Sequence, residues 1–223
     1  MNNENQDMTS LAPAINIEEV ALEEDAGNET GCLDQEQRYR ASAYGLLAAL
    51  LRASPDRNML DYLGELCEAT DDGDELMLAM SALALSAGMH GPEDIVDEFH
   101  RLFIGLGKGE LVPYGSWYQT GFLMEKPLSD LRDDLSRLGF QRSEEVAEPE
   151  DHVAALCEVL SIMIGDNTDV SVQKAFFESH MADWLGRFFD DLGRAGSAVF
   201  YRSVARFGAA FIELEKQYYS MQT

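Results

Sequence analysis

The amino-acid sequence predicts an all-α fold, a single-domain helical bundle with a glycine-rich hinge loop between its N- and C-terminal halves. Apolar residues recur three and four positions apart over most of the chain, and no segment shows the alternation typical of a strand. Prolines and acidic or hydroxyl residues at helix starts, and glycines at helix ends, divide this pattern into segments of ordinary helix length.

The first 33 residues are predicted to be a disordered acidic leader, and residues 34–223 a single helical domain. The leader contains one short apolar patch, too little to offset the chain entropy lost on folding. Ordered structure is expected to begin at Asp34, because Asp34 and Gln37 have the spacing of a capping box. Helical spacing then follows in Tyr39, Ala43, Leu46, Leu47, Leu50 and Leu51.

Three more helices are predicted before the glycine-rich stretch. Ser54 and Pro55 are typical of a helix start, with the serine as N-cap and the proline as the first helical residue. A third helix is expected from about Asp74 to Gly88. Pro92 starts a fourth, which carries Ile95, Phe99, Leu102 and Phe103 on one face.

The stretch GLGKGELVP, about residues 105–113, predicts the hinge. Its three glycines are separated by single residues, and each costs a helix about 1 kcal/mol relative to alanine. Helical patterns resume after it. They are expected from Pro127 to Gly139, from Pro149, around Phe176, and from an N-cap at Ser197 into a long final helix.

Composition restricts the classes of partner. Sixteen basic and 41 acidic residues give a formal charge of −25, which disfavours nucleic acid and anionic lipid and favours basic partners. No apolar stretch approaches the roughly 18 residues of a membrane span, and no secretory signal is evident. The widely spaced Cys32, Cys67 and Cys157 fit a reducing compartment. We expect a cytoplasmic protein.

The segment EPEDH, residues 148–152, offers a candidate acid/base or metal set in Glu148, Glu150, Asp151 and His152. Neighbouring helical side chains diverge by roughly 100°, which disfavours convergence of Asp151 and His152 on one ion. The alternative is a helix start, with Glu148 near the N-cap and Pro149 at the first helical position. Helix capping, ligand contact by Asp151 and His152, and metal binding all remain open on the sequence alone.

The segment PYGSWYQTG, residues 113–121, is an aromatic turn within a helical pattern. Aromatic side chains with polar tips are common both at recognition surfaces and in cores beside turns. Trp117 is expected to favour the core, while Tyr114 and Ser116 are expected to be accessible.

The glycine run with Lys108 invites a nucleotide-binding interpretation. It lacks the preceding strand and the following GK[ST] helix of a phosphate loop, so a hinge is favoured. Two alternative functions are therefore carried forward. One is a nucleotide-responsive regulator that uses Lys108, and the other a helical metal-dependent hydrolase that uses Glu148, Asp151 and His152.

Five segments in order resemble the TorD family of cytoplasmic chaperones for molybdenum-cofactor oxidoreductases. They are DEFHRLFIG, PYGSWYQTG, EPEDHVAALCEVLSIM, FFESHMADW and AVFYRSVARF, and the resemblance covers about residues 36–219. It implies a protein that is not an enzyme. Such a chaperone binds the twin-arginine signal peptide and the apo form of its client, and holds back export until the cofactor is inserted.

The resemblance also implies a peptide-binding surface. By position it would comprise Phe99, Leu102, Phe103, Tyr114, Ser116, Trp117, Asp151 and His152. The partners implied are an apo-molybdoenzyme catalytic subunit and its signal peptide, without nucleic acid or stable membrane insertion. No cofactor is implied beyond weak binding of guanine nucleotide. The chain would be a monomer or a domain-swapped dimer, which a hinge would permit.

The chemistry of such a ligand agrees with these residue types. Arginine–carboxylate hydrogen bonds contribute roughly 1.5–3 kcal/mol each when well placed, and arginine also stacks on aromatic rings. Asp151→Ala is therefore expected to weaken binding and to leave the helical content intact. His152 is expected to tune binding between pH 6 and 7, near its unperturbed pKa.

Overall fold

The computed structural model describes residues 33–66, 74–105, 109–141 and 148–222. Within these ranges the chain is helical and contains no β-strand, which confirms the all-α prediction. The predicted disordered leader, but for Leu33, lies outside the described residues. The helices are α1 Gln35–Arg52, α2 Arg57–Glu65, α3 Glu75–Met89, α4 Pro92–Phe99, α5 Gly115–Thr120, α6 Lys126–Arg137, α7 Val153–Gly165, α8 Val170–His180, α9 Leu185–Arg194 and α10 Tyr201–Met221, with a π-helical turn at His100–Ile104.

The core forms where α1 packs against α7 and where α10 packs against α3 and α9. Its largest fully buried side chains are aromatic and come mainly from α8, α9 and α10, including Phe177, Phe188, Phe207 and Phe211. None of the described helices is both long enough and apolar enough to span a bilayer.

Aspartates mark several helix starts, as the sequence indicates for two of them. Asp34 accepts a hydrogen bond from the Gln37 backbone N–H at 2.8 Å, which confirms the predicted start of α1. Asp74 caps α3 in the same way. The prediction for α2 was wrong, because Asp56 is the N-cap and neither Ser54 nor Pro55 is helical. The Asp56 carboxylate, two residues further on, accepts the hydrogen bond from the Met59 N–H.

Of three other predicted boundaries, one agrees within a residue and two are wrong. The helix α3 ends at Met89 with His90 as C-cap, one residue beyond the predicted Gly88. Pro149 does not start α7, since the His152 N–H closes a turn on the Pro149 carbonyl and the helix begins at Val153. The final helix begins at Tyr201 rather than next to Ser197, because its N-terminus is capped by a side chain from elsewhere in the chain.

That remote cap is Glu98, a buried residue of α4. Its carboxylate accepts hydrogen bonds from the backbone N–H groups of Val199, Phe200 and Tyr201, at 2.7, 3.0 and 2.8 Å. Glu110 accepts from Gly196 and Ser197 in the turn just before. The unpaired donors at the start of a helix are therefore satisfied by carboxylates more than 80 residues away.

An antiparallel register joins the first and last helices. The Gln37 amide donates to the Tyr218 hydroxyl at 2.7 Å, and the Arg40 guanidinium forms two hydrogen bonds of 2.7 Å with Glu215. Tyr44 and Phe211 then pack edge to face. Arg40 and Glu215 are both buried, and Arg40 also bonds to Gln37, Gln173 and Tyr219. Each charge is thus paired and hydrogen-bonded, as burial requires.

The glycine-rich stretch is anchored on both sides in the part that the structure describes. Gly105 has a φ of +59°, and the N–H groups of Glu110 and Leu111 donate back to the carbonyls of Arg101 and Leu102. A Cβ on Gly109 would lie 2.5 Å from the Phe103 carbonyl carbon, so the backbones approach too closely for any other residue. Residues 106–108 lie outside the described ranges, and the hinge remains a prediction.

Candidate functional site

The two motifs singled out from the sequence meet in space. Tyr114 and His152 form an isolated antiparallel bridge, in which the Gly115 N–H donates to the Asp151 carbonyl and the Val153 N–H to the Pro113 carbonyl, both at 2.9 Å. We call the two segments, Pro113–Ser116 and Asp151–Val153, the motif junction. Residues nearly 40 positions apart thus form one rigid unit at the starts of α5 and α7.

His152 is the N-cap of α7. Its ring nitrogen Nδ1 accepts a hydrogen bond from the Ala154 N–H at 3.1 Å, so this nitrogen carries no proton. Burial and, to a lesser degree, the positive charge of Arg52 lower the pKa of His152 to about 4. The imidazole is therefore neutral at pH 6–7, which contradicts the change of charge expected there; the effect of His152 on binding stays a prediction.

Asp151 is buried, with 3% of its surface exposed. Of its two carboxylate oxygens, one accepts a hydrogen bond from the described residues and the other does not. Its Oδ2 accepts a hydrogen bond from the Ser116 N–H at 2.8 Å, at the start of α5. Its Oδ1 is equally buried but accepts no hydrogen bond from the residues that the structure describes. An unpaired buried carboxylate oxygen is costly, so Oδ1 is suited to accept a hydrogen bond from water or from a bound group.

The other residues predicted in the turn differ in accessibility. Ser116 is fully buried, contrary to expectation, because its Oγ accepts from the Met124 N–H and its carbonyl from the Thr120 hydroxyl. Tyr114 is half-buried with its ring edge-to-face on His152, and burial together with Glu148 and Asp151 raises its pKa to about 12. Trp117 is half-buried as well.

Trp184 packs against the start of α5. It is completely buried, and a Cβ on Gly115 would lie 3.4 Å from its ring, so the ring packs directly on the α5 backbone. Its Nε1 donates to the His180 carbonyl at 2.7 Å, and Tyr118 stacks on the ring at 5.4 Å between centroids. The junction is consequently held by the C-terminal helices as well as by its own hydrogen bonds.

The three predicted residues of the α4 region form a different cluster. Phe99 and Leu102 are buried and Phe103 is half-buried. Both phenylalanine rings pack on Tyr201, with centroids 5.9 and 5.4 Å away. This aromatic cluster sits at the start of α10 and connects to the motif junction through the short stretch Glu110–Val112.

The geometry does not bring a metal-ligand set together. Among the described residues, no three His, Cys, Asp or Glu side chains lie close enough to hold one ion. Glu150 instead pairs with Arg132 of α6 at 2.8 Å. Lys108, on which the nucleotide alternative depends, lies outside the described residues.

An exposed apolar loop beside the junction was not anticipated from the sequence. Phe122, Leu123 and Met124 are all exposed, and Met124 adopts a φ of +59°. The loop is nevertheless fixed, because Ser116 Oγ and Thr120 Oγ1 hold the Met124 and Phe122 N–H groups. The three consecutive apolar residues after Gly121 were the available signal, since such runs are unusual on a surface.

A family of known proteins matches this region. The nitrate reductase delta subunit family, which is TorD-like, matches residues 69–190, more than half of the chain and including the motif junction. The chain belongs to this family. The expectation drawn from the resemblance is thereby confirmed at the level of the family.

Individual TorD-like relatives agree with the assignment. A chaperone protein TorD from Aliivibrio fischeri is 24% identical over 201 residues, covering 80% of this chain and 94% of that protein. One from Vibrio parahaemolyticus is 27% identical over 137 residues, covering 56% of this chain and 64% of the relative. A putative redox enzyme maturation protein from Archaeoglobus fulgidus shares the fold, with a TM-score of 0.52 and 17% identity over 84% of this chain and 99% of that one.

Proposed function

We propose that the chain is a cytoplasmic chaperone for the maturation of a molybdenum-cofactor oxidoreductase. It binds the twin-arginine signal peptide and the apo form of the client, aids cofactor insertion and holds back export until maturation is complete. The function is binding rather than catalysis. Support comes from membership of the TorD-like family and from relatives that are named TorD chaperones.

The observation that carries the proposal is the Oδ1 atom of Asp151. This carboxylate oxygen is buried and has no hydrogen-bond donor among the described residues, and the charge of Asp151 acts on the half-buried Tyr114. A guanidinium group supplies several donors in a planar fork, which suits a carboxylate better than any other side chain. A donor reaches Oδ1 only if neighbouring side chains move on binding, so we expect binding to include a local rearrangement.

The surroundings suit the rest of such a peptide. Half-buried aromatic rings, Tyr114 and Trp117, and the exposed Phe122, Leu123 and Met124 supply an apolar surface near the carboxylate. The net charge of −25 raises the rate of encounter with a basic peptide in a salt-dependent way. Phe99 and Phe103 pack on Tyr201 at the start of α10 and Leu102 is buried, so these three residues would contact the peptide only after a rearrangement.

Calorimetric titration with a synthetic twin-arginine signal peptide tests the proposal, beside a copy in which both arginines are lysine. The wild-type chain should bind the arginine peptide and bind the lysine copy more weakly. Asp151→Asn, which keeps an acceptor for the Ser116 N–H but removes the charge, should weaken binding by about tenfold, or 1.4 kcal/mol.

Asp166→Asn is the matched control, because Asp166 is exposed at the other end of the same helix α7. It should bind like wild type. Equal affinity of the Asp151 and Asp166 variants, with both folded by circular dichroism, would remove Asp151 from the site. Failure of every twin-arginine peptide to bind the wild-type chain would contradict the proposed ligand itself.

A further inference from the structure

An arginine of the chain itself lies beside the motif junction. Arg132 of α6 donates from both Nε and Nη2 to the same oxygen of Glu150, Oε2, over 2.9 and 2.8 Å. Glu150 directly precedes Asp151, whose Oδ1 is buried without a hydrogen-bond donor among the described residues. An internal guanidinium is therefore already bound to one of two carboxylates that are adjacent in the chain and suited to bind arginine.

The charge of Arg132 acts on Asp151 as well. The hydrogen bond to Glu150, followed by the negative charges of Glu150 and Asp151, raises the pKa of Arg132. One guanidinium thus interacts with both carboxylates, while Oδ1 of Asp151 still accepts no hydrogen bond from the part of the chain that the structure describes. A second guanidinium that bonds to Asp151 would come close to Arg132, and the two positive charges would repel each other.

The two partners of this ion pair differ in their access to solvent. The Arg132 side chain is 50% exposed, whereas the Glu150 side chain is 16% exposed. Arg132 can therefore leave the pair and be hydrated by rotation of its side chain, while Glu150 would lose this partner and stay largely covered. Partly exposed ion pairs contribute little to stability, so Glu150 can exchange one guanidinium for another at small cost.

The helix that carries Arg132 is fixed by other contacts. Three leucine side chains along α6 are buried, namely those of Leu128, Leu131 and Leu135. Asp134 and the His180 ring of α8 are hydrogen-bonded at 2.8 Å. Departure of Arg132 from Glu150 would therefore leave the backbone of α6 in place.

A second arginine near the junction is placed differently. Arg52 of α1 bonds to Glu158 within α7, and its charge acts on His152. Both side chains of that pair are about one-quarter exposed, so neither turns into solvent as readily as Arg132. Arg132 is thus the arginine whose partner adjoins Asp151 and whose side chain is the more easily displaced.

We propose that Arg132 is an internal competitor of the twin-arginine peptide. It is bound to Glu150 in the free protein, and one arginine of the peptide replaces it there while the other bonds to Asp151. Two adjacent carboxylates then bind two adjacent arginines, and Arg132 turns into solvent. The proposal rests on the proposed function, because it concerns the same ligand, and it identifies a side chain that moves on binding.

Calorimetric titration of the full chain with the twin-arginine signal peptide measures the effect of removing the competitor. Arg132→Gln should bind the peptide about three- to tenfold more tightly than wild type, because no internal guanidinium has to be replaced. Arg206→Gln is the matched control and should bind within about twofold of wild type. Arg206 is 46% exposed and forms a comparable ion pair with Glu75. Both variants change the net charge equally, so long-range attraction of a basic peptide increases equally.

Arg132→Lys separates charge from packing. Lysine keeps a positive charge beside Glu150 and should retain most of the wild-type affinity, although it lacks the planar fork. A gain in Arg132→Lys equal to that in Arg132→Gln would overturn the proposal, because the shape of the side chain would then cause the effect. Equal affinities of Arg132→Gln and Arg206→Gln, with both folded by circular dichroism, would overturn it as well.

Nitrogen-15 NMR of the Arg132 side chain follows the replacement directly, with a signal assigned by its absence from Arg132→Lys. In the free protein Glu150 holds the Arg132 Nε–H, which should exchange slowly with water. Unlabelled peptide should make this exchange faster. An Nε–H that stays protected in the complex would overturn the proposal and leave the twin-arginine ligand standing. Absence of peptide binding to both wild type and Arg132→Gln would instead contradict the proposed ligand, and this proposal with it.

Discussion

Removal of the Glu98 carboxylate should lower the free energy of unfolding strongly. It joins α4 to the start of α10 through three hydrogen bonds from backbone N–H groups, of 2.7–3.0 Å, and it is buried. Hydrogen bonds to a charged group contribute about 1.5–3 kcal/mol each, although their contributions are not additive. Glu98→Ala would leave N–H groups at a helix start without an acceptor.

We expect Glu98→Ala to lower the free energy of unfolding by about 3–5 kcal/mol, the range for removing one partner of a buried charged interaction. Glu98→Gln should cost about 2 kcal/mol, because its amide oxygen still accepts while its NH₂ group faces another donor. For a chain of this size, 2 kcal/mol corresponds to a decrease in Tm of about 4–8 °C.

Urea unfolding followed by circular dichroism at 222 nm measures these values. Glu213→Gln is the control, because Glu213 is exposed on α10 and its substitution should change stability by less than about 0.5 kcal/mol. Amide hydrogen exchange at Phe200 and Tyr201 should be faster in the Glu98 variants. A loss below about 1 kcal/mol for Glu98→Ala would refute the reasoning that this carboxylate is the cap of α10.

Two further predictions concern packing and pH. Gly208→Ala should destabilise by about 1–3 kcal/mol, because the added Cβ would lie 2.2 Å from the buried Phe189 ring, whereas Gly88→Ala, which meets open space, should stabilise by up to about 1 kcal/mol. Relative to wild type, the urea midpoint should fall for Gly208→Ala and rise for Gly88→Ala. Shifts in the same direction would contradict this prediction. Because the pKa of His152 is about 4 when folded and 6.5 when unfolded, its neutral form stabilises the fold above pH 6.5 and this contribution is lost as the pH falls towards 4. Wild type should lose about 2 kcal/mol more than His152→Asn between pH 7 and pH 5, and identical losses in urea unfolding would disprove the burial effect.

The positions of helices were predictable from this sequence where residues close in the chain determine them. The apolar periodicity, the cap at Asp34 and the start of α3 next to Asp74 depend on neighbouring residues, and the structure has them as predicted. The start of α10 was not predictable, because its cap comes from Glu98, about 100 residues earlier. The start of α7 was misplaced for a related reason: histidine is not among the usual N-cap residues, and His152 takes this position within the bridge to Tyr114.

The motifs that form the candidate site were predictable from the sequence. The burial of their side chains was not. The two motifs on either side of the motif junction were both singled out, yet no local pattern indicates that Ser116 is fully buried or that Asp151 uses one oxygen to hold the start of α5. Those properties depend on how α5 packs on Trp184. The role of the predicted site residues in binding stays a prediction.

The register between the first and last helices has a mechanical consequence. Gln37 meets Tyr218, Arg40 meets Glu215 and Tyr44 meets Phe211, so the outer ends of α1 and α10 lie side by side. A pulling force applied at residues 34 and 222 would load these contacts one after another, as in a zipper, rather than all at once in shear. The domain should therefore open at low force from this pair of ends, first at the Gln37–Tyr218 bond and next at the ion pair, even though the same ion pair is among its most deeply buried contacts.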